Sequence, residues 1–353
     1  LISTGLFNAG SANFPEEPPE GDAAPVIVTL EEAPPRTISG GVRYDTDVGP
    51  AVRGGFEHRN LFGANETLTL EALVGLEEQS LDTRYRLPQF LRSGQDLVYG
   101  LEIRRIDDEA FEEIGGAASV GIERELSPGL LVGLGVLGEL SEIEDDDGKE
   151  TSWLLGLPAF ADFDTTDDRL DPSKGAKLRL SATPFTGVIG GTAAGFGVLD
   201  LTGSTYFDLT GERRFILATR GRIASILSGD LDVVAANRRL YSGGGGSVRG
   251  YAERFIGPLD DDGDPVGGLS AVEAGVEMRA RVSSTVGLAG FVEAGSVSTE
   301  VAPVFDESVQ VAVGGGVRYF SPIGPLRFDI GFPVNGREED SAFQIYISIG
   351  QAF

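Results

Sequence analysis

Cysteine is absent from this 353-residue sequence, and histidine, methionine and tryptophan occur once each. Without cysteine there is no disulfide scaffold, no thiolate metal site and no thiol nucleophile. His58 is the sole imidazole, which excludes a histidine metal cluster. A Ser-His-Asp triad would have to take its base from His58, and no serine lies in a nucleophile elbow. His58 reads instead as an interfacial side chain on a strand, and no catalytic residue, metal or cofactor is implied. Long apolar runs are also missing. Hydrophobic residues make up 41% of the chain, yet none of their runs approaches the roughly 18 residues of a membrane-crossing helix. Cationic charge is scarce, with 28 Lys and Arg against 55 Asp and Glu and a net charge of −27. That sign excludes nucleic acid as a partner, because phosphate recognition needs a basic surface. Nor does the chain open on Met and a basic signal region. It begins Leu1-Ile-Ser-Thr-Gly-Leu-Phe7, as expected of a chain whose N-terminal part has been removed.

Glycine is abundant, with 51 residues where a usual composition gives about 7%. The glycines keep no three-residue period, which excludes collagen. Phe, Tyr, Leu and Val are plentiful and regularly placed, which argues against disorder. A glycine-rich chain without cysteine fits a β-barrel, where glycine relieves crowding at bends and close backbone contacts.

Residues 1–35 differ from the rest. Leu1 to Phe7 read as the end of an apolar helix, and a polar, proline-rich stretch runs to Pro25. Val26 to Leu30 read as a short strand. Pro34 and Pro35 then stop any strand and mark a domain boundary, since neither can donate a ladder hydrogen bond.

From Arg36 onward the period is two. Leu68, Leu70, Ala72, Val74 and Leu76 share one face, with Thr67, Thr69, Glu71 and Glu77 opposite. Phe215, Leu217 and Ile223 oppose Arg220 and Arg222. Val272, Val276, Met278 and Val282 oppose Glu273, Glu277, Arg279 and Arg281. Leu326, Phe328, Ile330 and Phe332 alternate with Arg327 and Asp329. A soluble sandwich also alternates, but its strands usually run five or six residues. These run roughly nine to fourteen, and a tilted membrane strand needs roughly 9–11. One apolar face and one face with charges of both signs match lipid outside and a wet lumen inside. About sixteen segments are present, an even number as antiparallel closure requires. The expected fold is therefore all-β, a 16-stranded antiparallel transmembrane barrel over 36–353. Short turns such as Ser127-Pro-Gly129 and Ser321 to Pro325 alternate with longer acidic connections such as Glu144 to Gly148.

The longest connection, about 229–267, contains Tyr241-Ser-Gly-Gly-Gly-Gly-Ser-Val-Arg-Gly-Tyr251. Four glycines can fold tightly in a confined space, and Arg249 is a fixed cation with five donors. Inside a barrel that guanidinium would need a carboxylate, and Glu273, Glu277, Glu293 and Asp329 are available on inward faces. A flexible external loop is the other reading of the same residues. Gly243 to Gly250 match a phosphate loop only loosely, because no helix follows. Asp260 to Asp264 match a calcium loop only in part, because the distal Glu is missing; a solvated turn explains them.

Val248-Arg-Gly-Tyr251, after a glycine run and about a hundred residues from the C-terminus, resembles the loop-six motif of the POTRA-plus-barrel superfamily of BamA, TamA and the two-partner-secretion transporters. Phe291-Val-Glu-Ala-Gly295 resembles that family's Phe-x-Asp-x-Gly strand motif, with Glu293 where Asp is usual. Gly314 to Pro333 is similar to its penultimate hairpin, Asp168 to Gly175 to its mid-barrel turn, and Asn60-Leu-Phe-Gly63 to its first hairpin exit. Thr4 to Phe7 and Pro25 to Arg36 look like the end of a POTRA domain, so residues 1–35 are expected to be the remnant of one. With Ile38 to Val42 and Asp45 to Pro50, the likeness is nearest the TamA branch and spans essentially the whole chain. It implies that Val248, Arg249, Gly250 and Tyr251 anchor the loop inside the barrel, with Arg249 paired to Glu293. It further implies an integral outer-membrane protein with its POTRA region in the periplasm, embedded in the lipid bilayer. Such a protein inserts or translocates unfolded outer-membrane or autotransporter polypeptides with a periplasmic TamB-like partner. BamA-like general assembly and two-partner secretion are the alternatives, and a passive porin or a barrel enzyme are more remote.

The last strand carries Phe343, Ile345, Ile347, Ile349 and Phe353 on one face. Such an amphipathic strand ending in an aromatic is the usual targeting signal of this protein class. The first strand, Thr37 to Val42, carries adjacent Gly40 and Gly41, which cost strand stability. The expectation is a weak seam between first and last strands that opens to template substrate strands by β-augmentation. Alternatively, Gly40 and Gly41 only accommodate the domain junction.

Overall fold

The computed structural model describes residues 5–13, 26–145, 148–303, 309–322 and 324–349. Near the N-terminus, β1 (Phe7–Asn13) pairs antiparallel with β2 (Ile27–Glu32). Phe7 therefore opens a strand and does not end a helix, and residues 1–4 lie outside the described residues. The reason is local. Phe7-Asn-Ala-Gly-Ser-Ala-Asn13 holds a glycine and two asparagines, poor helix formers in a segment too short to be helical alone. The β2 strand satisfies its backbone instead.

The remaining strands close one barrel. They are β3 (Arg36–Asp45), β4 (Gly49–Arg59), β5 (Thr67–Gly75), β6 (Glu78–Leu87), β7 (Gln95–Asp107) and β8 (Glu112–Ser127). Next come β9 (Leu130–Asp145), β10 (Gly148–Gly156), β11 (Ala159–Asp164), β12 (Gly175–Ile189) and β13 (Thr192–Asp208). The wall ends with β14 (Phe215–Leu227), β15 (Ser270–Arg281), β16 (Val286–Ser298), β17 (Gln310–Ser321), β18 (Gly324–Pro333) and β19 (Gln344–Ile349). Both β10 and β11 pair with β9 and with β12, so they are two halves of one strand and the wall has sixteen. Pro158 interrupts that strand because it has no N–H to give. The wall stays closed there through Gly135 N–H to Pro158 O (2.9 Å) and Leu157 N–H to Pro184 O (3.1 Å).

The distribution of polarity is inverted relative to a soluble protein. Val276, Val292, Leu326, Phe328 and Phe332 are among the exposed side chains, while Glu273, Glu277, Glu293, Arg318 and Asp329 are buried. A surface of this kind is stable only where lipid covers it and the charges find partners inside. The acidic stretch Glu144 to Gly148 is not the long loop expected of it. Glu144 and Asp145 belong to β9, and β10 resumes at Gly148. Here the strands overhang, and Glu144 and Asp145 are carried on a strand end near which Lys149 reaches Glu142, while Asp146 and Asp147 lie outside the described residues.

One end of the barrel carries the long connection, 228–269, together with 299–303 and 334–343. The long connection folds inward and builds an apolar cluster against the wall. Val234, Leu240, Val248, Tyr251 and Ile256 from the loop meet Ile143, Leu154, Phe185, Phe196, Ile226 and Val297 from the strands. At the other end the lumen opens into a cavity of about 910 Å³ lined by Asp162, Arg179, Thr202 and Arg220 among others.

Replacing Val292, on the outer face in the middle of β16, with Arg is expected to cost about 2–4 kcal/mol, against about 0–1 kcal/mol for Val282→Arg at the turn beyond β15. Urea unfolding in lipid vesicles measures both, and equal costs would contradict the assigned faces.

Candidate functional site: a buried ion network joining the long loop to the wall

The inward loop is held by polar contacts around much of the wall. Asn237 Nδ2 donates to Glu113 Oε1 (2.7 Å), Arg238 pairs with Glu139, and Arg254 pairs with Asp108. Arg337, from the 334–343 connection, donates to Gly257 O (2.8 Å). Arg220 donates to Gly246 O (2.7 Å) and also pairs with Glu273, which draws in Arg222 at 3.3 Å. In 260–264 the Asp260 carboxylate accepts the N–H groups of Asp262, Gly263 and Asp264, each at 2.9 Å. A carboxylate turned onto its own backbone makes a turn, and no cluster suited to a metal occurs among the described residues.

Arg249 lies at the centre and is 1% exposed. Its main-chain N–H donates to Glu293 Oε2 (2.7 Å) and its Nε to Glu293 Oε1 (3.0 Å). Its Nη1 reaches Glu277 Oε2 (2.8 Å) and Asp329 Oδ2 (2.7 Å). The guanidinium plane stacks on Phe291, with Cζ 3.5 Å from the ring centroid. Strands β15, β16 and β18 thus each contribute one carboxylate, all at inward positions of the two-residue repeat. Sequence reasoning had placed all three on inward faces but paired Arg249 with Glu293 alone.

Three further guanidinium groups complete the cluster and were not foreseen. Arg318 pairs with Asp329 and lies 3.3 Å from Glu277, Arg279 Nε donates to Glu277 Oε1 (2.7 Å), and Arg327 lies 3.4 Å from Asp329. The signal for Arg318 was its inward parity in Gly314-Gly-Gly-Val-Arg318. Four buried cations against three carboxylates leave no carboxylate unpaired, and charges taken out of water at this depth persist only when paired.

The neighbours of Arg249 fit the same constraint. Val248 is 1% exposed and packs over Gly295. Gly250 has φ of 116°, and a Cβ there would come 2.9 Å from Ala312 Cβ. Only glycine adopts that backbone without strain. Tyr251 is buried, and its hydroxyl donates to Val311 O (3.0 Å).

The turn 165–174 approaches the network from the opposite end. Arg279 Nη1 donates to Pro172 O (3.4 Å), and Arg281 pairs with Asp171 (2.9 Å). Partial burial pushes the Asp167 carboxyl up. The Ser173 hydroxyl and the N–H groups of Ser173 and Lys174 outweigh it and hold the pKa at about 2.

At the seam, β19 meets β3 among the described residues through Tyr346↔Asp45 and Ile347↔Tyr44, two pairs, whereas β3 and β4 share ten. Thr46 N–H adds a bond to Ile345 O (3.1 Å). Of the seam residues proposed from sequence, Gly40 and Gly41 lie on β3, where they pair with Gly54 and Arg53 on β4. Among the described residues β19 meets β3 at Tyr44 and Asp45, and residues 350–353 lie outside them. Ile345, Ile347 and Ile349 lie on β19, Phe343 precedes it with its ring 6.3 Å from that of Phe332, and Phe353 lies outside the described residues.

A family model, the Omp85 superfamily domain, matches residues 60–353. The chain belongs to the Omp85 superfamily. It is an integral outer-membrane barrel, as the barrels of this superfamily are. The outer membrane protein assembly factor BamA of Nitratidesulfovibrio vulgaris is 28% identical over 351 residues, covering 94% of this chain and 44% of that protein. BamA of Neisseria meningitidis is 20% identical, over 94% of this chain and 49% of that protein. The chain thus spans less than half the length of these curated relatives. Among solved structures, BamA from Haemophilus ducreyi lacking POTRA domains 1–3 superposes with a TM-score of 0.80 at 20% identity, over 98% of this chain and 76% of that one. CdiB from Acinetobacter baumannii gives 0.64 at 16% identity, over 99% and 66%.

Removing Arg249 from this Omp85 barrel leaves its three carboxylates short of a shared cation. Arg249→Ala is expected to destabilise loop packing by about 3–5 kcal/mol, opening 229–267 to protease while the barrel still forms. Unchanged protection would contradict the anchor. For the 165–174 turn, a carboxyl held below its unfolded 3.8 adds stability above that pH. That contribution is lost as pH falls through the folded value near 2, so Ser173 and Lys174 amide exchange should accelerate over this window and not above pH 5.

Proposed function

We propose that this chain is the barrel module of an outer-membrane assembly factor, which receives unfolded outer-membrane polypeptides and pairs their strands at the β3–β19 seam. The observation that carries this reading is the short ladder at that seam, two pairs among the described residues. Unpaired backbone in a bilayer costs several kcal/mol per group, so wherever β3 and β19 part, their edges favour any strand that supplies the missing hydrogen bonds. The glycine-rich wall beside the edge, Gly40 and Gly41 against Gly54 and Arg53, lowers the resistance to bending. The naming of the curated relatives as assembly factors supports the same reading.

A narrower version is the TamA branch, with autotransporter substrates and a periplasmic TamB-like partner. It rests on the N-terminal and first-hairpin likeness, and the BamA relatives fit the general version equally. Residues 1–35 are read as the end of the last POTRA domain, supported by a β1–β2 ladder that runs directly into Pro34-Pro35. The loop-anchoring role of Val248, Arg249, Gly250, Tyr251 and Glu293 belongs to this proposal, as does the seam role of β19. The chemistry is strand exchange, without a covalent step.

With no native cysteine, Tyr44→Cys with Ile347→Cys gives a clean lock. Proteoliposomes of the full-length protein should lose most of their ability to fold a urea-denatured outer-membrane substrate when the pair is oxidised, and regain it on reduction. Full activity with the seam locked would sink the proposal.

A further inference from the structure

The hydroxyl of Tyr346 is fully buried on the inner face of β19 and uses both of its hydrogen-bonding roles on the loop. It accepts from Gly250 N–H (2.9 Å) and donates to Tyr251 O (3.1 Å). The ring lies against Gly245, where a Cβ would come 2.8 Å from Cδ1. The same residue makes one of the two described backbone pairs across the seam, with Asp45, and pairs on its other side with Asp329, which holds Arg249. On the far flank, Glu253 N–H donates to the Asp47 carboxylate (2.5 Å), two residues past the end of β3. Gly250, Tyr251 and Glu253 therefore span the seam from inside. They hold β19 by one side chain and the β3 hairpin by another, beside the described pairs Tyr346↔Asp45 and Ile347↔Tyr44.

We propose that the Arg249 loop is the clasp of the seam, with Tyr346 and Asp47 as its two catches. This rests on the reading of the seam as the working edge, and makes Tyr346 a positioning residue for it. Chemically the clasp is well suited to release. A ladder opens only by breaking successive main-chain bonds, but Tyr346 leaves the loop by losing two bonds from one rotatable hydroxyl. The loop stays where Arg249 holds it, because Arg249 bonds Glu277, Glu293 and Asp329 and, among the described residues, makes no bond to β19 or β3. The seam can therefore part without unplugging the barrel.

The test reads seam motion without substrate, so its outcome is independent of whether substrates use the seam. Spin labels at Val42→Cys and Ile349→Cys, on the two seam strands, report the distance across it in full-length protein in vesicles. Tyr346→Phe keeps the ring and removes only the hydroxyl. It should raise the open population about fivefold, the equivalent of about one buried hydrogen bond, with protease protection of 229–267 unchanged. Tyr206→Phe, a buried lumen tyrosine on β13, should leave the distances as they were. Asp47→Ala, which frees the other flank, should open the seam to a similar degree and serves if Tyr346→Phe folds poorly. Distances unchanged in both variants, or shifted equally by Tyr206→Phe, would overturn the clasp. A clasp upheld while the oxidised Tyr44–Ile347 pair remains fully active would leave this inference standing and remove the assembly proposal.

Discussion

A guanidinium that cannot lose its proton sits in this barrel where almost no water reaches it, and most of the interior is arranged around that fact. Arg249 would be strongly unfavourable alone. It is tolerated because β15, β16 and β18 bring Glu277, Glu293 and Asp329 to within hydrogen-bond distance and Phe291 offers its ring face. Arg279 and Arg318 then pair further with Glu277 and Asp329, and Arg327 lies beside Asp329. The network is demanding in geometry, since each member left unpaired would carry its full desolvation cost. That demand gives the loop one resting place in the lumen.

Once the loop is fixed there, it supplies what the wall lacks. The outer face of the strands is committed to lipid, so the wall has no second layer to pack against. The loop provides an apolar filling for one end of the lumen, with Val248, Tyr251 and Ile256 meeting side chains of several strands. The opposite end stays polar and open. Plug and scaffold are thus parts of one interior, and the seam is the place where that interior is thinnest. Among the described residues the ladder there falls to two pairs, and cross-seam contact passes partly through the loop.

Much of this was legible in the sequence. Strand number, the inward position of Glu277, Arg279, Glu293, Arg327 and Asp329, and the special character of Val248-Arg-Gly-Tyr251 all follow from a two-residue period and from what a charge requires in a barrel. Less was legible where charge and composition have two readings. The acidic run at Glu144 reads as a loop yet extends a strand, because an overhanging strand end is as wet as a loop. Phe7 reads as helical but pairs in β1, because its partner lies some twenty residues away, behind a proline-rich stretch. Gly40 and Gly41 read as a thin first strand, and their described partners are on β4.

Sequence by itself determined the period, and with it which side chains face lipid and which face the lumen, because alternation is a local property of an extended chain. It also required a carboxylate for Arg249, because the guanidinium charge is permanent. Only the tertiary structure decided which carboxylates answer, that there are three, and that Arg318 joins them. Those choices depend on register between strands far apart in sequence. It alone decided that Tyr346, an unremarked residue among isoleucines, faces Gly250 and Tyr251, since closure of the barrel brings the last strand under a loop that departs a hundred residues earlier.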